Sequence, residues 1–364
     1  VADGRALAPR RAGWTVLLVV LAAAAAAQPH PAAAQTELAV PFYRDEHALQ
    51  GLYAHHLPAR WQAFEQAAAS LTSQARKHCD GQAPKAQVHQ AWVDARLAWL
   101  AASNPALGEV LTRRSQREID FWPMRAALLQ RALAADPQNL AQMARVGGPA
   151  KGFPTLEHLL AQPAPAPCPY LALVAEGIES EARALRQAFD ARAATDWSAD
   201  EPAAKAAFSE WVNQWLGGLE SLRWQQIEQP VQKARTSGPG EAPAFARRRW
   251  ADNRADWQAQ WQALYTQARW PPAARREPPR PGQALVPIEA LLLGRGHIAT
   301  AQRWGAALDA ADAAVSALTL RTDEPSPAEL LALSSRLKAV TSLYQREVAA
   351  ALDVPLGFSS ADGD

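Results

Sequence analysis

Trp92-Val93-Asp94-Ala95-Arg96-Leu97-Ala98-Trp99 and Trp250-Ala251-Asp252-Asn253-Arg254-Ala255-Asp256-Trp257 share one pattern, Trp-x-Asp-x-Arg-x-x-Trp. Such a match, with tryptophan at both ends, rarely arises by chance, even in a chain holding 14 tryptophans. On a helix, His89, Trp92, Arg96 and Trp99 are spaced three, four and three apart, so they fall on one stripe. Downstream of each copy comes a proline, then a glutamate among leucines: Pro154 and Glu157 in the first half, Pro287 and Glu289 in the second. The echo predicts an all-α fold of two helical bundles related by internal duplication, with a pocket between them. The motif tryptophans read as core. Arg96 and Arg254 share a stripe with them and need a carboxylate or carbonyl partner if buried, so structural ion pairing and ligand binding both stay open.

The first proline–glutamate element reads Gly147-Gly148-Pro149-Ala150-Lys151-Gly152-Phe153-Pro154-Thr155-Leu156-Glu157-His158-Leu159-Leu160. Glycines and prolines break the chain, and Pro154 is tolerated in a first helical turn, where its missing N–H has no intrahelical partner. Glu157 then falls in or beside that turn, near the positive end of the helix dipole. Two readings follow: a helix-capping carboxylate, or a carboxylate aimed into a site at the end of a bundle.

Composition bounds the rest. Hydrophobic residues make up 49% of 364, alanine is abundant and alternating strand patterns are absent, which argues for helices. Arg10-Arg11, an apolar run over 14–27 and Ala32-Ala33-Ala34 read as a signal peptide over 1–34, cleaved near Ala34, and the run is short for a membrane span. The expected location is periplasmic, with no stable membrane span after cleavage. Loss of Asp3, Arg5, Arg10 and Arg11 turns a formal charge of +1 into about −1, which gives no electrostatic case for nucleic acid. Cys79 and Cys168 in an exported chain read as one disulfide, worth about 4–5 kcal/mol on the chain-entropy model, against an alternative of two buried thiols.

Helices are expected over 41–79, 84–103, 170–194, 200–229, 244–270, 285–293, 297–319 and 326–352. A short one is expected after Asp136-Pro137, with Asp136 as its cap. The glycine- and proline-bearing stretch 233–243 is the linker candidate, dividing an N-terminal bundle (35–235) from a C-terminal one (236–364).

Three elements carry a family resemblance: Arg117-Glu118-Ile119-Asp120-Phe121-Trp122-Pro123, Lys151-Gly152-Phe153-Pro154-Thr155-Leu156-Glu157, and the ending Leu356-Gly357-Phe358-Ser359-Ser360-Ala361-Asp362-Gly363-Asp364. In this order they resemble the imelysin family over nearly the whole mature chain. The resemblance implies an exported all-α protein of two bundles, implicated in bacterial iron uptake, with some members described as metallopeptidases. The family signature Gly-x-His-x-x-Glu is matched at Gly152 and Glu157, but Pro154 stands where the histidine would be. His158 points about 100° away from Glu157 on a helix, and no His-Glu-x-x-His pair exists.

The expected function is therefore a non-catalytic binding or accessory component of iron acquisition, with a metallopeptidase of atypical site as the alternative. Its site residues are Arg96, Arg117, Asp120, Trp122, Lys151 and Arg254 for a ligand, with Glu157 and Glu289 converging on iron or another divalent cation. The expected partner is iron, an iron chelate or an envelope protein of an iron-uptake system. A peptidase would add His89 or His297 to the carboxylates.

Overall fold

Runs of alanine and leucine, punctuated by proline, glycine and short polar caps, form helix after helix. The structure is a computed structural model that describes residues 39–162, 167–238, 240–275 and 277–357. The expected signal peptide, residues 163–166 of the proline-rich connector and the chain end from 358 lie outside the described residues.

Helix α1 (Asp45–Gln50) runs through a π-helical segment (Gly51–His56) into α2 (Leu57–Cys79) and is followed by α3 (Lys85–Ala102). Short elements come next: α4 (Glu109–Thr112), α5 (Ser115–Ile119), α6 (Ala126–Ala134), α7 (Leu140–Met143) and α8 (Gly152–Ala161). The long α9 (Cys168–Ala193) and α10 (Glu201–Glu220) lead through a second π segment (Ser221–Glu228) into α11 (Gln229–Ser237). Then come α12 (Trp250–Ala268), α13 (Ile288–Gly294), α14 (Ile298–Thr319) and α15 (Pro327–Leu343), and a third π segment (Tyr344–Val348) ends in α16 (Ala349–Ala351). No strand occurs among the described residues.

Local rules account for several boundaries. The Asp200 carboxylate accepts the Ala203 N–H at 2.9 Å to start α10, and Ser326 and Glu329 form a reciprocal capping box at α15. Several expectations shift. The helices expected over 200–229 and 326–352 contain π segments, the former runs on through α11 to Ser237 inside the linker candidate 233–243, and the helix expected from 285 starts at Ile288. The helix expected over 41–79 contains the first π segment. Asp136 has a positive φ and caps nothing, whereas Asn139 accepts the Gln142 N–H to cap α7. The helix expected from 244 begins only at Trp250, leaving a non-helical lead-in that becomes central below.

The described residues form one compact unit. Helix α2 packs on α9 and α3, and the Cys79–Cys168 disulfide ties the end of α2 to the start of α9 with Cα atoms 5.4 Å apart. Helix α3 also packs on α8 and α12, and α12 on α14. The two motif-bearing helices, α3 and α12, are therefore in direct contact. Trp92, Trp99 and Trp257 are fully buried and Trp250 is half-buried, as a packing role requires. The Trp92 indole N–H donates to the Phe153 carbonyl at 2.9 Å, joining α3 to the first residues of α8.

Candidate functional site: a buried ion network under a cleft

The two motif copies interlock by complementary residues rather than equivalent ones. In the first copy Arg96 is fully buried and Asp94 is exposed, bonded only to Gln90. In the second, Asp252 is buried, while Arg254 turns away and donates to the Thr319 carbonyl at 3.0 Å, at the end of α14. Arg96 crosses to the other copy: Nη2 lies 3.5 Å from Asp252 Oδ1 and Nε lies 3.1 Å from Asp256 Oδ1. Its guanidinium also sits 4.3 Å from the Trp92 ring centroid, one turn back on α3.

Asp256 carries a second arginine. Arg247 Nε donates to Asp256 Oδ2 at 2.7 Å, and Nη2 donates to Asp120 Oδ1 at 2.9 Å. Arg247 belongs to the non-helical lead-in to α12, where Asn253 fixes its backbone. The Arg247 N–H donates to Asn253 Oδ1 at 2.9 Å, and Asn253 Nδ2 donates back to the Arg247 carbonyl at 2.8 Å. Burial opposes the charge on Arg247, but Asp120 and Asp256 hold its pKa above the ordinary arginine value.

Asp120 reaches this arginine because α8 starts in contact with α5. Gly152 has φ +76°, and a Cβ there would lie 2.3 Å from the Ile119 carbonyl oxygen. Only glycine fits that approach, and it sets the chain position of Asp120, the residue that ends α5.

Glu157 is the sixth residue of α8, whose first turn holds no acidic residue, so it is not a helix cap. Its Oε1 instead accepts the Arg248 N–H at 2.7 Å. Burial pushes the Glu157 carboxyl above its ordinary value, opposed by that N–H and by Arg247 and Arg96. A carboxyl raised in the folded state favours folding below the unfolded carboxyl pKa, and this contribution is lost as pH rises through the folded value. Glu157→Gln keeps the acceptor for Arg248. It is therefore expected to leave the Tm at about pH 3.5 nearly unchanged and to raise it at about pH 7. A lower Tm for Glu157→Gln at the higher pH would show that the ionised carboxylate stabilises the fold.

Glu289 lies in a second cluster. Its carboxylate accepts from Arg269 and Arg275 and from the Trp270 N–H at 2.9 Å, and Arg269 also grips Asp309 at 2.7 Å. Each glutamate thus follows its proline and receives a backbone N–H, but the two have no partner in common among the described residues. Lys151 pairs with Glu118, and Arg117 is exposed, its carbonyl packed against Gly148. His89 Nε2 lies 3.4 Å from Arg249 at the edge of the first network, and His297 precedes α14 elsewhere.

Arg247, Arg248, Asp252 and Asp256 were not among the expected site residues. The signal was the run Arg247-Arg248-Arg249 directly before the second motif, with two aspartates inside it.

Above this network opens a cleft of about 540 Å³. Asp120, Arg247 and Asp256 line it together with Trp99, Trp122 and Trp224. A divalent cation needs carboxylates free to converge on it. Asp120 and Asp256 already carry Arg247, Glu157 carries an N–H and Glu289 two guanidiniums. Among the described residues no group of three or more His, Cys, Asp or Glu is placed to hold a metal ion. The two glutamates, Glu157 and Glu289, do not fit the metal expected there: guanidiniums hold both Glu289 oxygens, Glu157 Oε1 is taken by a backbone N–H, and the two share no partner among the described residues.

The fold and site define an all-α protein whose two motif copies meet through a buried aspartate–arginine network. The family model for imelysin, peptidase M75, matches residues 56–352, and the chain belongs to that family. The fold is similar to the crystal structure of an imelysin-like protein from Psychrobacter arcticum 273-4. That match has a TM-score of 0.64 and 19% identity, covering 86% of this chain and 97% of the other. No curated protein matches the sequence. No helix among the described residues is long and apolar enough to cross a membrane.

Proposed function

We propose that this chain is a non-catalytic binding or accessory component of bacterial iron acquisition, working in the periplasm, with its polar site at the cleft over Asp120, Arg247 and Asp256. The observation that carries this reading is the state of Glu157. The histidine of the family signature is replaced by Pro154, and the glutamate's oxygen is taken by the Arg248 N–H. A peptidase needs a metal-bound or base-activated water, and proline in the histidine's place supplies neither ligand nor base. Support for export comes from the N-terminal apolar run and from the disulfide, which persists in oxidising compartments. The repeated Trp-x-Asp-x-Arg-x-x-Trp pattern supports a common origin for the halves 35–235 and 236–364. The chain's partner in uptake is an iron chelate or an envelope protein of the uptake system.

The test is a clean deletion strain grown with and without an iron-withholding chelator, complemented by the wild-type chain or by Arg247→Lys. A growth defect confined to iron limitation, restored by the wild-type chain and not by the variant, is expected. Zinc-dependent peptide turnover by the purified protein would overturn the non-catalytic reading.

A further inference from the structure

We propose that the cleft takes an uncharged, polyhydroxylated ring ligand, a saccharide, laid against Trp122 and Trp224. The inference rests on the cleft being the binding site and is independent of the iron role. Trp122 and Trp224 are 45% and 41% exposed and both line the cleft, whereas most tryptophans of this chain are buried. Exposed indoles in a concave surface of ligand size mark a binding face.

The second π segment is the other observation. Its wider i→i+5 turns place Ser221, Trp224, Gln225 and Gln226 all on the cleft wall, and such segments concentrate at functional sites. Gln214 and Gln229, from α10 and the start of α11, add carboxamides that bond to no other side chain among the described residues.

Charge then selects the ligand class. The ionised groups lining the cleft, Asp120, Arg247 and Asp256, are paired with one another. An anion finds no unmatched cation there, and a metal ion finds no unmatched carboxylate. What remains on offer is aromatic face and carboxamide, and a carboxamide both donates and accepts. A sugar ring has the complementary surface: hydroxyls that do both at its edge, and an apolar C–H face for indole. An extended peptide has no strand edge to pair with in this helical wall.

The test titrates the full chain with neutral oligosaccharides of glucose and of N-acetylglucosamine, following tryptophan fluorescence and calorimetry. Saturable binding of at least one is expected, changing less than about twofold between about 50 and 500 mM salt because no charge is matched. Trp122→Ala and Trp224→Ala should each weaken it about tenfold or more, with both variants still folded at the titration temperature by thermal melt, since neither ring belongs to the buried core. Trp→Phe at either site should restore part of the affinity. No saturation by any saccharide, or binding indifferent to both alanine variants, overturns the proposal. So does saturation by an unstructured peptide alone. Salt-sensitive binding of ferric citrate in place of any sugar overturns the saccharide class and leaves the iron reading standing. If neither sugar nor ferric citrate binds, the saccharide proposal fails, and the iron reading is decided separately by growth of the deletion strain under iron limitation.

Discussion

Arg247→Ala is expected to lower the unfolding free energy by about 3–5 kcal/mol, the range for removing one partner of a buried ion pair. The guanidinium is the only bond between Asp120, at the end of α5, and Asp256, inside α12, in the network described here. Asp256 is 3% exposed, so its charge cannot be recovered by water. Arg96 Nε stays at 3.1 Å from the same carboxylate but lacks hydrogen-bond geometry, so it compensates only in part. Urea titration should show a lower midpoint with an unchanged slope. Arg254→Ala is the comparison. It removes hydrogen bonds to carbonyls at the end of α14 and should cost about 1 kcal/mol. Equal effects for the two variants would show that the network contributes no more than a helix-end contact.

Gly152→Ala should be as damaging by a different route. Its φ of +76° costs an alanine about 1–2 kcal/mol in backbone strain, and the added methyl meets the Ile119 carbonyl oxygen at 2.3 Å. That oxygen is backbone, so relief requires α8 to shift against α5, and the sum should reach about 2–4 kcal/mol. The shift also moves Asp120 relative to Arg247, so the variant should weaken cleft binding. Gly177→Ala supplies a control of opposite sign. Gly177 lies inside α9 with open space around its Cβ position, and alanine there should stabilise the protein by about 0.5–1 kcal/mol. Thermal melts of both variants check the pair: a Gly152→Ala melt matching wild type would mean that the α5–α8 contact is adjustable.

How far the sequence reached can be followed through individual residues. The Ser326-Pro327-Ala328-Glu329 box, the proline-started helices and the absence of strand patterns are local properties, set by residues within a turn of one another, and the helices follow them. The cysteine pairing followed from there being two in a chain read as exported. The Trp-x-Asp-x-Arg-x-x-Trp echo picked out the two helices that meet and Arg96 within the network, and the Arg117–Pro123 element picked out Asp120. The echo could not tell that Arg96 would seek Asp252 and Asp256 of the other copy while Arg254 left for α14, since a helix stripe carries no information about the facing helix. Glu157 read equally as a cap or a site carboxylate because Pro154 suggested a later helix start, but α8 begins two residues earlier and the carboxylate moves past the first turn, which removes the cap. Arg247 and Arg248 lay in a stretch read as helix, and only the non-helical lead-in turns a side chain of one and the N–H of the other toward α3 and α8. Sequence alone therefore determined the all-α class, most of the helices, the capping box of α15 and the identity of the motif, which depend on neighbours a few residues apart. Tertiary packing decided which charges neutralise which and where the cleft opens, because those energies depend on distances across elements far apart in the chain, such as Asp120 and Arg247.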